Sequence, residues 1–561
     1  MNVRHLKSEP CLAVGIVSGR EIRFSLPCAT RLVCASDVST ICAAASPVEA
    51  APHSSTEAAA SLPIGNPCSS LGADSAELPL NSQCPDCCQS DSRESASPCL
   101  SAGAWTARLD EGCCQLNGPD GTLLIPICGS EVCRLENDRP AGQAAFQLEE
   151  VCIGIGFHWQ RLQRQAFEGS LRLVVENHRL TAVNCLPLER YLYSVIASEM
   201  KATASVELLK AHAVISRSWL LANLMRQPQK VAEISSEVTS VKDTFDAQEE
   251  HIVWYERDAH RLYDVCADDH CQRYQGICHS GTHQVKEALA ATRGLVLSTD
   301  DGDICDARFY KCCGGFTERF SSCWDNRDYP YLQTVSDLTA TNSKQGSHLS
   351  GIRSASGSDG QPLADNDARS ALVSGIGSED EARHFILSRP AAWCHTDDQA
   401  ILSQVLNDYD RETADFFRWQ VQYTGQELSD LVRRKSGMDF GRLLALEPVE
   451  RSQSGRLVRL RLVGTRRTLV VGKELEIRKW LSDKHLYSSA FVVSCTYGTG
   501  QAVSADGKSY PVPETFRLDG AGWGHGVGLC QIGAAVMAAK GLDHRQILAH
   551  YYPGARLEKL Y

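Results

Sequence analysis

Residues 188–224, LERYLYSVIASEMKATASVELLKAHAVISRSWLLANL, decide how the rest of the chain is read. They read as two consecutive helices. Pro187 suits a first helical position, and apolar residues then recur at Leu188, Tyr191, Leu192, Val195, Ile196 and Met200, one stripe of helical period. Glu199 stands about 20° from Leu188 around that helix, at roughly 100° per residue, so a carboxylate lies on the apolar side. A carboxyl group buried without a partner keeps its proton to higher pH, as a general acid requires. Ser205 is placed to cap the second helix, with Glu207 in its first turn. Lys210 and Arg217 share one face of it, while Leu209, Ala213, Val214 and Leu220 can pack. One acid and two cations from adjacent helices describe a site for a polar, partly anionic ligand. The plainer alternative is a solvated Glu at a helix end beside two ordinary surface cations.

LERYLYSVIASEM and LLKAHAVISRSWLLANL together resemble the core signature of the SpoIID/LytB family, the stage II sporulation protein D and amidase-enhancer group. TRG at Thr292–Gly294, YKCCGGFTE at Tyr310–Glu318, GWGHGVGLCQIGA at Gly522–Ala534 and YYPGA at Tyr551–Ala555 continue the resemblance in the family's order. It covers most of residues 150–340 and 485–561. Where the family commonly has a histidine and a serine after the tyrosine, this chain has Lys311 and Cys312.

The resemblance implies an extracytoplasmic protein that binds peptidoglycan glycan strands. In the lytic transglycosylase branch, Glu199 would be the acid/base of a reaction closing a 1,6-anhydro ring. A tethered hydroxyl nucleophile makes a second carboxylate unnecessary, whereas glycoside hydrolases use a pair. Lys210 and Arg217 would hold acetamido, lactyl or carboxylate groups, and Tyr310, Trp523, His525 and Gln531 would line the substrate site. The other branch implies a non-catalytic, wall-binding enhancer of an N-acetylmuramoyl-L-alanine amidase, with that amidase or another wall-remodelling protein as partner. A third reading is a zinc-stapled interaction module.

Across 561 residues, 68 acidic against 56 basic side chains argue against a broad electrostatic nucleic-acid footprint. No apolar run approaches the length of a transmembrane helix. The opening MNVRHLKSEPCLAVGIVSGREIRFSL lacks the apolar core of a signal peptide and reads as strand. The 25 cysteines include adjacent pairs (Cys87–Cys88, Cys113–Cys114, Cys312–Cys313) that make no regular disulfide framework, so they assign no redox compartment.

The fold class expected is α+β, with helices and small antiparallel sheets around a groove and a low-complexity N-terminal insertion. Residues 1–27 form an N-terminal strand segment, and 28–104 are a flexible insertion rich in Ser, Ala, Pro and Cys. Residues 105–186 form a β unit with turns at Asn117–Gly121 and Glu176–His178. Residues 187–340 are the first part of the core, and 341–484 an insertion or subdomain with a mobile loop around 345–362. Within it DEARHFILS and ILSQVLNDYDRET read as helices, and RLVRLRLVG with RTLVVGKE as a hairpin. Residues 485–561 complete the core. Between Gly520 and Gly528 glycine takes every second place, which in an extended chain puts Trp523, His525 and Val527 on one face.

HRLYDVCADDHC, from His260 to Cys271, follows a polar connector at about 226–250. His260, Cys266, His270 and Cys271 offer two nitrogens and two sulfurs, a donor set suited to one tetrahedral zinc ion. With all four positions taken by protein, that zinc would be a structural staple. Two buried thiols with incidental histidines are the alternative. Some members of the resembled family carry zinc near this point on a similar but not identically spaced set. Cys278, Cys305, Cys312, Cys313 and Cys323 are substitute ligands.

Overall fold

The computed structural model describes residues 8–34, 42–43, 98–110, 113–127, 129–155, 160–234, 250–253, 260–268, 270–277, 282–339, 376–406 and 415–561. The fold is α+β, but its sheets are larger than the sequence suggested. One seven-stranded sheet runs in the order Val265–Cys266, Cys11–Gly19, Arg179–Pro187, Ser170–Glu176, Glu131–Glu136, Thr30–Cys34, Cys99–Leu100. The second runs Arg161–Phe167, Phe146–Ile153, Glu21–Leu26, Gly103–Asp110, Cys113–Gly118, Gly121–Pro126, Cys42–Ala43. Val14, Leu32, Leu171 and Leu173 of the first share one apolar core with Phe24, Trp105, Leu116 and Phe167 of the second. The strand at Thr30–Cys34 corrects the reading of 28–104 as wholly insertion. Leu32 is buried there and pairs with Leu135, so this short stretch has a sheet to join. The turn at Asn177 and His178 takes φ of 51° and 58°, the left-handed pair that a tight hairpin needs.

The strand Arg179–Pro187 feeds without a loop into α1, Leu188–Glu199. Pro187 is the residue before the first turn, one position earlier than expected, with an extended ψ of 148°. Leu188, Tyr191, Leu192, Val195 and Ile196 are buried as their period requires. Helix α2 runs from Val206 to Ile234, beyond the expected start of the polar connector. Ser205 lends its carbonyl to Leu209 N–H, but its hydroxyl is buried with no partner among the described residues, so it is not the side-chain cap expected. Helix α3, His283–Ala291, begins at a Thr282 cap and is followed by Gly294 at φ 70°. The loop expected around 345–362 lies outside the described residues.

A second apolar core gathers Trp419, Leu428, Leu460, Trp480, Phe491, Phe516 and Leu518. It contains the expected hairpin, Leu457–Gly464 with Thr468–Gly472, and the strand–helix pair Arg418–Thr424 and Gly425–Ser436. It extends past residue 484, because the strand Ser509–Ala521 pairs with both Arg418–Thr424 and Phe491–Val503. No helix among the described residues is long and apolar enough to cross a membrane.

The glycine run is not the extended strand read from its alternation. The strand ends at Ala521, and Gly522, Gly524, Gly526 and Gly528 then take φ of 75°, 96°, 89° and 83°. The backbone therefore turns at every second residue, a path open to glycine and costly for other residues. Space excludes side chains as well: a Cβ on Gly528 would stand 2.0 Å from Arg308 O, and one on Gly526 2.5 Å from the Arg456 guanidinium.

Candidate functional site

Glu199 closes α1, half-buried, and its Oε1 accepts the Arg273 N–H at 2.9 Å. The segment that supplies this donor is clamped on both sides. Gln275 N–H donates to Ser194 Oγ on α1 at 3.0 Å, and the Gln272 side chain donates to Ser216 O on α2 at 3.2 Å. Tyr191 OH reaches Gln272 Oε1 at 3.3 Å, and Tyr274 OH donates to Asn184 Oδ1 at 2.6 Å. The carboxylate is thus positioned by a segment held still by α1 side chains, an α2 carbonyl and a side chain of the first sheet.

The two cations expected beside it are engaged elsewhere. Arg217 is fully buried and grips Glu189 with two bonds, 2.9 Å from Nε to Oε1 and 2.7 Å from Nη2 to Oε2. Its Nη1 donates to Leu295 O at 2.8 Å, which ties α2 to the strand Leu295–Ser298. Burial pushes the Glu189 carboxyl up, but Arg217, Tyr561 OH and Gly294 N–H together hold it below its ordinary value. Arg217 is therefore an internal brace, and its assignment as a substrate ligand is corrected: no face of the guanidinium is open. Lys210 pairs with Glu207 at 2.7 Å, and Glu207 in turn accepts the N–H and ring nitrogen of His544. Desolvation works against the Glu207 charge, yet these donors bring its pKa down to about 2. Neither Lys210 nor Arg217 pairs with Glu199. Helical period placed both on one face correctly, but it carries no information on what packs there.

The remaining expected residues meet around the strand Phe309–Tyr310, which pairs in parallel with Leu529–Cys530. Tyr310 is buried, its ring edge-on to His525 at 5.4 Å, and its hydroxyl has no partner among the described residues. His525 also meets Trp324 at 4.8 Å, and its Nδ1 accepts Val527 N–H at 3.1 Å. Burial, with Arg308, Arg478 and Arg456 nearby, drives its pKa well below the usual histidine range, so this ring is neutral. Trp523 is partly exposed, with Phe416 at 4.7 Å and Tyr487 at 4.4 Å beside its ring. Gln531 is buried, its amide nitrogen 3.4 Å from His212 Nε2. His212 was not singled out from the sequence. It is fully buried, and desolvation, helped by the Lys311 charge, lowers its pKa to about 3. A second chain of contacts links this cluster to Glu199: Lys311 Nζ donates to Val405 O at 3.1 Å, and Lys201 N–H to the neighbouring Gln404 O at 3.0 Å. The helix carrying both acceptors, Gln399–Val405, overlaps the start of the expected helix ILSQVLNDYDRET, in the stretch read as an insertion or subdomain.

His260, Cys266, His270 and Cys271 come together with their donor atoms all within 4.8 Å of one another. His260 Nε2 is 3.4 Å from Cys271 Sγ, and His270 Nδ1 is 3.5 Å from Cys271 Sγ and 3.8 Å from Cys266 Sγ. Ligands at about 2.0 Å (nitrogen) and 2.3 Å (sulfur) around a tetrahedral zinc stand roughly 3.3–3.8 Å apart, so the spacing fits such an ion. Cys266 belongs to the edge strand of the first sheet, and Cys271 precedes the segment that holds Glu199. Of the substitute ligands, Cys323 donates to His525 O at 3.3 Å, Cys305 is buried beside Asp306, and Cys278 lies outside the described residues. Cys313 belongs to a different cluster, and Cys312 stands beside it.

The fold and site define an α+β protein with a half-buried carboxylate closing the first of two helices, backed by a loop of two cysteines and two histidines. A family model described as "Stage II sporulation protein" matches residues 176–298, which include Glu199 and that loop. The chain therefore carries a SpoIID-family domain. Residues 318–528 match a second family, described as "Domain of unknown function (DUF8618)". The chain is similar to Stage II sporulation protein D of Bacillus amyloliquefaciens, 25% identical over 158 residues, which are 28% of this chain and 39% of that protein. Its namesake in Bacillus subtilis (strain 168) is 25% identical over 154 residues, with the same shares. The matched part thus spans about two-fifths of the length of these curated relatives.

Proposed function

We propose that the protein acts on peptidoglycan glycan strands in the cell envelope, as a lytic transglycosylase with Glu199 as its acid/base. The observation that carries this reading is the half-buried carboxylate at the end of α1, inside the SpoIID-family match. Its Oε1 accepts a backbone N–H from a braced segment. Glu199 would protonate the glycosidic oxygen between N-acetylmuramic acid and N-acetylglucosamine as the C–O bond breaks. It would then take the proton from the 6-hydroxyl as that oxygen closes on C1. Proton in and proton out balance on one residue, and the nucleophile is already tethered to the sugar. The partly exposed Trp523 offers a face to a sugar ring. The loop of His260, Cys266, His270 and Cys271 would hold a structural zinc that fixes the segment carrying Arg273; all four positions are taken, so no step passes through it.

A second reading, a wall-binding enhancer of an amidase, gains from one observation: both cations that strengthened the catalytic case are engaged in internal ion pairs. Mass spectrometry of products from purified protein and peptide-free glycan strands separates the two. The transglycosylase reading expects 1,6-anhydromuramic ends, and Glu199→Gln should lower their rate by about 10²–10⁴-fold without changing the fold. Reducing ends would identify a hydrolase. Intact glycan, with stimulation of an added amidase, would establish the enhancer.

A further inference from the structure

Beneath the glycine run, four segments far apart in sequence bring three cysteines and one aspartate into the core. Cys313 follows the strand Phe309–Tyr310, Cys394 precedes the helix Gln399–Val405, and Cys530 stands at the N-cap of the helix Gln531–Ala539. Asp337 completes the set, and all four residues are buried. The donor atoms lie within 4.8 Å of one another, with Cys313 Sγ 3.3 Å from both Cys394 Sγ and Asp337 Oδ2. We propose that Cys313, Cys394, Cys530 and Asp337 hold a second divalent ion of the zinc type, separate from the loop of His260 and Cys271.

Several independent features suit an ion at this place. Backbone N–H groups are directed at the sulfurs: Cys313 N–H and Gly533 N–H at Cys530, 3.3 and 3.5 Å away, and Gly315 N–H at Cys313, 3.4 Å away. Such donors favour thiolates, the form that binds metal. Arg418 is buried, its guanidinium donating to the carbonyls of Ser388, Gly314, Phe417 and Phe385 and lying over the Phe417 ring at 4.1 Å and the Phe385 ring at 5.0 Å. It has no carboxylate partner among the described residues, and the acidic groups whose charge bears on it are Cys394, Cys312 and Cys313, two of them members of this cluster. A divalent ion with three thiolates and a carboxylate is net anionic, so Arg418 and the cluster would compensate each other. Asp337 has no Lys or Arg partner among the described residues either; its acceptors take Cys394 N–H at 3.0 Å and Tyr551 OH at 2.8 Å, with His550 at 3.4 Å. The unpartnered Tyr310 hydroxyl lies in the electrostatic reach of Cys313 and Cys530.

Four protein ligands leave no open coordination position, so the ion would be a staple and not a Lewis acid. Its place gives it consequence: it would join the Tyr310 strand, the helix that touches Lys201 and Lys311, and the end of the glycine run. The separation of 3.3 Å between Cys313 and Cys394 is well above the roughly 2.05 Å of a disulfide bond.

Metal analysis of purified full-length protein tests the assignment. Cys394→Ser should lose one equivalent of zinc relative to wild type, while Cys266→Ala with Cys271→Ala should leave that equivalent in place. If Cys394→Ser does not fold, cobalt(II)-exchanged wild type replaces it: the thiolate-to-cobalt absorption should have the intensity of five cobalt–sulfur bonds, or of three if the His/Cys loop binds no metal. Zinc unaffected by Cys394→Ser, cobalt absorption matching two bonds or none, or a Cys313–Cys394 disulfide in non-reducing peptide mapping would overturn the site.

Discussion

Replacing Arg217 by methionine tests the claim that this residue is an internal brace and not a ligand. Methionine fills much of the same volume and can adapt its shape, so the chief loss is electrostatic. The change removes two charge-assisted bonds to Glu189, those of 2.9 and 2.7 Å, and the bond to Leu295 O. Removing one partner of a buried ion pair costs about 3–5 kcal/mol, because the other charge stays buried without compensation. Glu189 would keep the Tyr561 OH at 2.7 Å and Gly294 N–H at 3.2 Å, which places the expected loss near about 3 kcal/mol. Adding Glu189→Gln should recover a large part of it, since a neutral amide still accepts from Tyr561 and Gly294. The sign of the pH dependence follows from the same geometry. In the native protein the Glu189 pKa is lowered, so its contribution is present above the unfolded carboxyl pKa and lost as pH falls. Without Arg217, burial raises that pKa, and the deficit should shrink on acidification as the carboxyl protonates. Urea unfolding followed by far-UV circular dichroism reads both effects. A variant as stable as wild type at pH 7 but deficient in glycan binding would refute the reasoning and return Arg217 to the ligand site.

His212 is buried with a pKa of about 3, whereas an unfolded histidine takes a proton near 6.5. Stability should therefore fall as pH drops below about 6.5, by roughly 2–3 kcal/mol at pH 4.5. His212→Gln should flatten that part of the profile; equal profiles for the two proteins would contradict the burial argument. Below about 4.5 Glu207 acts in the same direction, since its pKa is lowered to about 2. Chelation, or Cys266→Ala with Cys271→Ala, should lower the unfolding temperature and reduce activity only as Glu199 loses its Arg273 anchor. Activity lost upon chelation with no change in thermal stability would argue that the loop metal is not a staple.

Much of the local structure was legible in the residues. The apolar stripe of α1 and the hairpin at Asn177–His178 follow from spacing and turn chemistry, which act within a few residues. So did the donor set of the His/Cys loop, because its members lie close in sequence. The roles of Arg217 and Lys210 were not legible, since Glu189 and His544 reach them only through tertiary packing. The glycine run misled for a related reason. Alternation predicts a face only if φ stays extended, and contacts with Arg308, Cys313 and Arg456 set φ positive at those glycines.

The sequence by itself determined the class of fold, the helix pair with Glu199 at the end of its first member and the family resemblance, all properties of contiguous chain. Only the tertiary structure decided which charged groups brace the core, which helix approaches Lys201 and Lys311, and that Cys313, Asp337, Cys394 and Cys530 meet. These depend on segments brought together by folding, and no local pattern of residues encodes who the distant neighbour will be.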